Sequence, residues 1–211
     1  MTICSGEPQF HPLDLSELNA DPFKQFRRWF ADAQERSGLL YPNAFTLSTV
    51  DADGAPDSRI VLMKDLDPSG FTFYTNFTSH KGQELAFIPK AAMCFYWDRL
   101  NRQVRVRGRV ENVTAAEADE YFATRPRESQ LAAWASLQSQ PMSQRSELEV
   151  RLSELARVFE GKTIHRPAHW SGKRIVPMSF EFWQERANRL HDRFIYRLTN
   201  ENHWNIVRLY P

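Results

Sequence analysis

Between Glu181 and Arg193 the chain reads EFWQERANRLHDR, which places Arg189, His191, Asp192 and Arg193 within five residues beside Phe182 and Trp183. Such a run offers an imidazole for orienting a ligand or moving a proton, and two guanidinium forks that bind planar or multivalent anions. On an alternating strand Arg189, His191 and Arg193 would share one face and Leu190 would point away. Upstream, RIVLMK (59–64) brackets Ile60, Val61, Leu62 and Met63 with two cations. Period-two geometry puts Arg59 and Lys64 on opposite faces, able to serve different ligands or different parts of one. FYTN (73–76) closes a strand-like run with Tyr74 and Thr75, and Ser79-His80-Lys81 opens a helix-like one. A helix N-terminus with a lysine beside it suits a phosphate. Tyr121 and Arg125 stand one helical turn apart, with Ser129 next if the helix resumes after Pro126, so together they give one anion several donors. Each segment also has a plainer account on its own, as a solvated strand end, a Ser79 helix cap or a helix terminus with surface arginines.

Several chemistries are excluded. The sequence has no G-x-S-x-G, no H-E-x-x-H, no Walker lysine loop and no G-x-G-x-x-G after a strand. Its six histidines include one close pair, His165 and His169, and no metal-ligand pattern, so no metal is expected. Cys4 and Cys94 make neither a C-x-x-C nor a disulfide framework. A net charge of +1 provides no global field for nucleic acid or an anionic membrane. Arginine nonetheless supplies 21 of the 27 basic side chains, a skew compatible with phosphate-bearing ligands. Met1 to Phe10 does not read as a signal peptide and no apolar run reaches the length of a membrane span, so a cytoplasmic setting is expected.

These groups need a scaffold. Asp21-Pro22 signals a helix start, Phe23, Phe26, Trp29 and Phe30 recur at helical spacing, and Gly38 ends the run. Strands are expected at 44–50, 58–66, 71–76, 91–97 and 103–110, with turns at Asp51–Gly54 and Asp67–Gly70 and a short helix from Ser79 to about Phe87. In the last of these strands Val104, Val106 and Gly108 alternate with Arg105, Arg107 and Arg109. Thr114 and Glu117 form a capping box, and a long helix after Pro141–Ser143 carries Leu148, Leu152, Leu155 and Val158. Strand signals return at 180–183, 194–196 and 204–209 after a 161–167 linker. The expectation is a mainly β fold with inserted and flanking helices, a small barrel rather than a parallel sheet. It comprises one domain over 21–211, preceded by a variable, flexible segment over 1–20.

Taken together, RIVLMK (59–64), FYTN (73–76), Lys81, Arg102-Gln103-Val104, YFATRPRESQLAAW (121–134), Gln138-Ser139 and EFWQERANRLHDR (181–193) closely resemble the pyridoxine/pyridoxamine 5'-phosphate oxidase family, in the family's order and from about Asp21 to Pro211. The resemblance implies an FMN-binding split barrel working as a homodimer with FMN at the subunit interface. It assigns the FMN to Arg59, Ile60, Val61, Leu62, Met63, Lys64, Tyr74, Thr75, His80, Lys81, Gln103, Gln138, Ser139, Trp183 and Arg193. It assigns the phosphate of a B6 substrate to Lys64, Tyr121, Arg125 and Ser129, and its ring and reacting side to Arg189, Leu190 and His191, with Arg189 and His191 catalytic. The implied reaction moves a hydride from substrate C4' to flavin N5, and dioxygen reoxidises the flavin with release of hydrogen peroxide. The chain departs from the family pattern in lacking an Arg-Arg/Lys-x-Tyr element among residues 10–20, in His80 where many relatives have arginine, and in Ser171 and Glu185 where glycines are usual. A phenazine-precursor flavin oxidase and a non-catalytic flavin- or B6-phosphate-binding protein are the rival readings.

Overall fold

A computed structural model of the chain describes residues 12–211. The element order is α1 (Pro22–Arg36), β1 (Ala44–Val50), β2 (Pro56–Leu62), β3 (Asp65–Asp67), β4 (Gly70–Asn76), α2 (His80–Phe87), β5 (Lys90–Trp97) and β6 (Arg102–Asn112), followed by α3 (Ala115–Ala123), α4 (Arg127–Ala135), α5 (Arg145–Val158), β7 (Trp170–Gln184), β8 (Asp192–Leu198) and β9 (Trp204–Leu209). The strand order of the sheet is β2-β1-β5-β6-β7-β4-β3, with β8 pairing to β7 and β9 to β8. This is the mainly β class that the strand signals predict. The described residues divide into two compact units, one made of 12–47, 92–107 and 177–211, the other of 48–91 and 108–176. No helix of the described residues is long and apolar enough to cross a membrane, and none of their His, Cys, Asp and Glu side chains group to hold a metal ion.

In the first unit, the Asp21 carboxylate accepts from the Phe23 backbone N–H and caps α1, with Pro22 at the first helical position. The helix turns Phe26, Trp29 and Ala33 inward, and an apolar face of this kind stabilises by about 1.5–3 kcal/mol for each large side chain removed from water. Phe26 meets Phe95 edge-on at 5.0 Å, and Trp29 meets Phe182 at 5.3 Å and 90°. Gly38, at φ +64, ends the segment in a backbone region that a Cβ disfavours. β7 and β8 pair antiparallel with Phe182 opposite Phe194 and Trp183 opposite Arg193.

In the second unit, β4 pairs antiparallel with the first part of β7, Tyr74 opposite Gly172 and Thr75 opposite Ser171. A helical layer packs around Phe122, Leu131, Ala133, Phe159, Ile164 and Trp170. Thr114 and Glu117 close the expected capping box at α3, and Ser79 caps α2 through Gly82 N–H. Two elements differ most from expectation. The strand expected over 58–66 is two strands, β2 and β3, broken at Met63-Lys64, although the Lys64 N–H still donates to the Thr72 carbonyl. β7 begins ten residues earlier than its apolar signal, because Ser171, Gly172, Lys173 and Arg174 interrupt the alternation while remaining largely covered.

Candidate functional site

β2 is largely exposed along its length, with Ile60 at 64% exposure. It lies at one end of the strand order, where its side chains line a cleft of about 430 Å³ in the second unit. Arg59, Ile60, Val61, Leu62 and Lys64 enter it from β2 and the residues just beyond, Tyr74 and Thr75 from β4, Lys81 from α2, and Gln138 from the loop after α4. Asn76, Arg125, Ala132, Ala133, Ser136 and Trp170 complete the lining. A volume in this range with a few fixed polar groups is that of a small-molecule site.

The donors are anchored from behind. The Arg59 guanidinium donates to Glu84 at 3.1 Å, to Asp57 at 2.5 Å and to the Thr49 hydroxyl. Asp57 is held below the usual carboxylate range by the Ser58 backbone N–H and by Arg59. Lys81 Nζ donates to Gln138 Oε1 at 3.0 Å and to Ser79 Oγ at 3.4 Å, and the Thr75 hydroxyl reaches the same Gln138 oxygen at 3.5 Å. Burial and the neighbouring Arg59 charge lower the Lys81 pKa, with Glu84 opposing. α2 approaches the preceding turn so closely that only a glycine fits at position 82, where a Cβ would stand 2.4 Å from the Phe77 carbonyl oxygen.

Three rings at and behind the cleft lie nearly parallel. Tyr74 stacks on Tyr121 at 3.9 Å and 13°, and on Trp170 at 5.2 Å and 12°. Burial, with the nearby Tyr121 and Glu117, pushes the Tyr74 phenol up to about 12, so it stays a neutral donor. Gly172 makes the stack possible, since a Cβ there would come within 2.9 Å of the Tyr74 ring. Arg125 lies just beyond the end of α3, not on its last turn, with its guanidinium 4.6 Å over the Trp170 ring. Its Nη1 is buried and has no hydrogen-bond partner among the described residues.

The second unit therefore brings together Arg59, Ile60, Val61, Leu62, Lys64, Tyr74, Thr75, Lys81, Arg125 and Gln138, with Tyr121 stacked behind. Met63 is buried. His80 faces a separate recess with Asp51, Gln83 and Glu84. Ser139, at φ +70, lines another recess with Leu148 and Arg151. Ser129 is half-buried in α4, which does resume a helical course after Pro126.

The first unit holds the remaining candidates. His191 leans on Trp183, centroids 4.6 Å apart, and its Nδ1 accepts from the Arg186 backbone N–H at 3.2 Å. In the neutral ring that bond leaves the proton on Nε2. Arg193 donates through Nε and Nη2 to Glu181 Oε1 at 2.9 and 2.7 Å, and through Nη1 to the Tyr210 carbonyl. Glu181, only 7% exposed, also accepts from Arg105 at 3.2 Å. Asn188 and Arg189 both adopt left-handed backbone, φ 58 and 61, so the strand alternation expected to align Arg189 with His191 does not extend to this turn. Leu190, 66% exposed, lines a cavity of about 460 Å³ with His191, Arg193 and Arg208. Gln103 is half-buried on β6.

Sequence reasoning missed Glu84, Asp57, Glu181 and Trp170. Only Glu181 carried a legible signal, a carboxylate among strand aromatics, which a protein tolerates chiefly when it is paired.

A family model described as pyridoxamine 5'-phosphate oxidase matches residues 31–159, and one described as the pyridoxine 5'-phosphate oxidase C-terminal dimerisation region matches 170–211. Three relatives are each named pyridoxine/pyridoxamine 5'-phosphate oxidase. That from Azorhizobium caulinodans is 52% identical over 100% of both chains. That from Brucella canis is 54% identical over 92% of this chain and 95% of its own, and that from Trichormus variabilis 50% identical over 93% and 92%. Among solved structures, PhzG from Burkholderia lata 383, in complex with tetrahydrophenazine-1-carboxylic acid, superposes with a TM-score of 0.86 at 28% identity, covering 96% of this chain and 99% of its own. A pyridoxamine 5'-phosphate oxidase-related, FMN binding protein from Nostoc punctiforme gives 0.71 at 17% identity, covering 88% and 97%, a likeness of fold.

Proposed function

Because this chain belongs to the pyridoxamine 5'-phosphate oxidase family, we propose that it is a homodimeric flavoenzyme that oxidises pyridoxamine 5'-phosphate, pyridoxine 5'-phosphate or both to pyridoxal 5'-phosphate. The observation that carries this reading is the cationic cleft of the second unit, where Arg59, Lys64, Lys81 and Arg125 converge on space suited to a small molecule. All four fall within the matched region.

The donor set fits FMN. Arg59 and Lys81 are pre-oriented by Glu84, Asp57 and Gln138 and offer fixed hydrogen bonds to a phosphate. Thr75, Gln138 and Ser139 add neutral donors, the exposed Ile60 and the half-buried Leu62 offer apolar packing surface, and Gln103, Trp183 and Arg193 complete the set. FMN, when bound, supplies the two-electron acceptor for the substrate C4' hydride and, through dioxygen, the route to hydrogen peroxide. Lys64, Tyr121, Arg125 and Ser129 grip the substrate phosphate. Arg189 holds the substrate ring, and His191 Nε2–H orients the reacting side while Arg186 fixes its tautomer. The match to a dimerisation region over 170–211 supports the homodimer. The cofactor lies between two subunits in this reading, so the two groups of residues need not meet within one chain.

The test is absorbance of the FMN-loaded protein under anaerobic conditions. Pyridoxamine 5'-phosphate or pyridoxine 5'-phosphate should bleach the oxidised flavin band, and air should restore it with pyridoxal 5'-phosphate formed. A band unchanged by both substrates would refute the assignment. Bleaching by a reduced phenazine carboxylate alone would favour the activity suggested by the PhzG likeness.

A further inference from the structure

A buried guanidinium is ordinarily found against a carboxylate, because removing its charge from water is costly unless the charge is compensated. Arg125, half-buried, is arranged differently. Among the described residues it has no carboxylate partner, and its Nη1 is buried without a hydrogen bond. Aromatic faces surround it instead, with the guanidinium carbon 4.6 Å from the Trp170 centroid and 5.6 Å from that of Phe122. The indole is itself fixed, stacked near-parallel with Tyr74 at 5.2 Å and edge-on to Phe122 at 5.2 Å. Trp170 is 8% exposed and also lines the cleft.

We propose that Trp170 is a positioning residue for anion recognition, its indole face carrying the Arg125 charge so that the N–H groups in the guanidinium plane stay available to a phosphate. A carboxylate in that place would occupy two of those donors and cancel the charge. An aromatic face stabilises the cation through its quadrupole and leaves every in-plane donor free. Trp170 thereby sets specificity for phosphorylated over unphosphorylated ligands. The inference rests on the reading that Arg125 binds the substrate phosphate.

Its test separates the two claims. Affinities of the FMN-loaded protein for pyridoxal 5'-phosphate and for pyridoxal are measured calorimetrically in the parent, Trp170→Leu, Trp170→Phe and Arg125→Ala, with KM and kcat for pyridoxamine 5'-phosphate. Loss of the indole face should weaken pyridoxal 5'-phosphate binding in Trp170→Leu by roughly tenfold. Trp170→Phe, which keeps a weaker face and most of the packing, should lose only about two- to threefold. Pyridoxal affinity should hold in both, and KM should rise more than kcat falls. Should the leucine variant not fold, the same comparison in Trp170→Phe decides, since a selective loss for the phosphorylated ligand is still required. Equal losses for both ligands would make Trp170 merely structural, and no loss would remove it from recognition; either overturns the inference. If Arg125→Ala leaves pyridoxal 5'-phosphate affinity unchanged, the underlying phosphate assignment falls first. If it weakens binding while the Trp170 variants do not, only the inference falls.

Discussion

Replacing Glu181 with glutamine tests whether a buried carboxylate holds the Arg193 fork in place. Glu181 accepts two bonds from Arg193, at 2.7 and 2.9 Å, and one from Arg105 at 3.2 Å. Its side chain is 9% exposed, against 26% for Arg193 and 47% for Arg105. Removing one partner of a fully buried pair costs about 3–5 kcal/mol, and an exposed pair contributes about 0–1 kcal/mol. A buried carboxylate with partly wetted arginines falls between, at roughly 2 kcal/mol. For a chain of this size that lowers Tm by about 4–8 °C. On the proposed assignment of Arg193 to FMN, the loosened fork should also weaken FMN binding, by roughly two- to tenfold if one rotamer-rich side chain must be re-ordered on capture. Thermal unfolding by circular dichroism and quenching of FMN fluorescence read the two effects. The reasoning is refuted if the variant melts within about 1 °C of the parent, because the three bonds would then carry no net stability.

Two further substitutions probe the second unit. Gly82→Ala should destabilise by about 1–3 kcal/mol and reduce FMN affinity, reversing the usual gain from alanine in a helix, because the added Cβ meets the Phe77 and Asn76 backbone; denaturant unfolding checks the sign, and a stabilised variant would contradict it. For Glu117, the Thr114 hydroxyl and N–H and the Arg174 guanidinium hold the folded pKa down at about 2, from 4.5. A depressed carboxyl contributes stability in full above the unfolded value and loses it as pH falls from 4.5 toward 2. Glu117→Gln should therefore be less stable than the parent near neutrality, with the gap closing across that window, and unfolding curves taken along the pH series measure it.

What the sequence made legible follows physical locality. Asp21-Pro22 and Thr114/Glu117 announce their helices because a cap is settled within a few residues. β1 and the Val104/Arg105 alternation of β6 are equally plain, since one face is covered and the other is not. The start of β7 was hidden because Ser171, Lys173 and Arg174 are covered despite their polarity. The turn at Asn188-Arg189 was hidden because nothing local demands left-handed backbone from residues other than glycine. Most residues that line the cleft are among those the resemblance named, whereas the groups bracing Arg59 and Arg125 were not legible. Glu84 lies 25 residues from the Arg59 it braces, and Trp170 lies 45 from the Arg125 it supports, distances that only the fold closes.

The contrast between those two arginines bears on how the cleft meets its surroundings. Arg59 is already neutralised by Glu84 and Asp57, so it lends direction more than field. Arg125, backed by an indole, has no carboxylate partner among the described residues to offset its charge. Small anions of the medium then become competitors at Arg125 before they do at Arg59. Buffer phosphate or sulfate should raise the apparent KM for a phosphorylated substrate at concentrations that leave the flavin in place, and the same unscreened attraction that draws the substrate in will slow the departure of a product that keeps its phosphate.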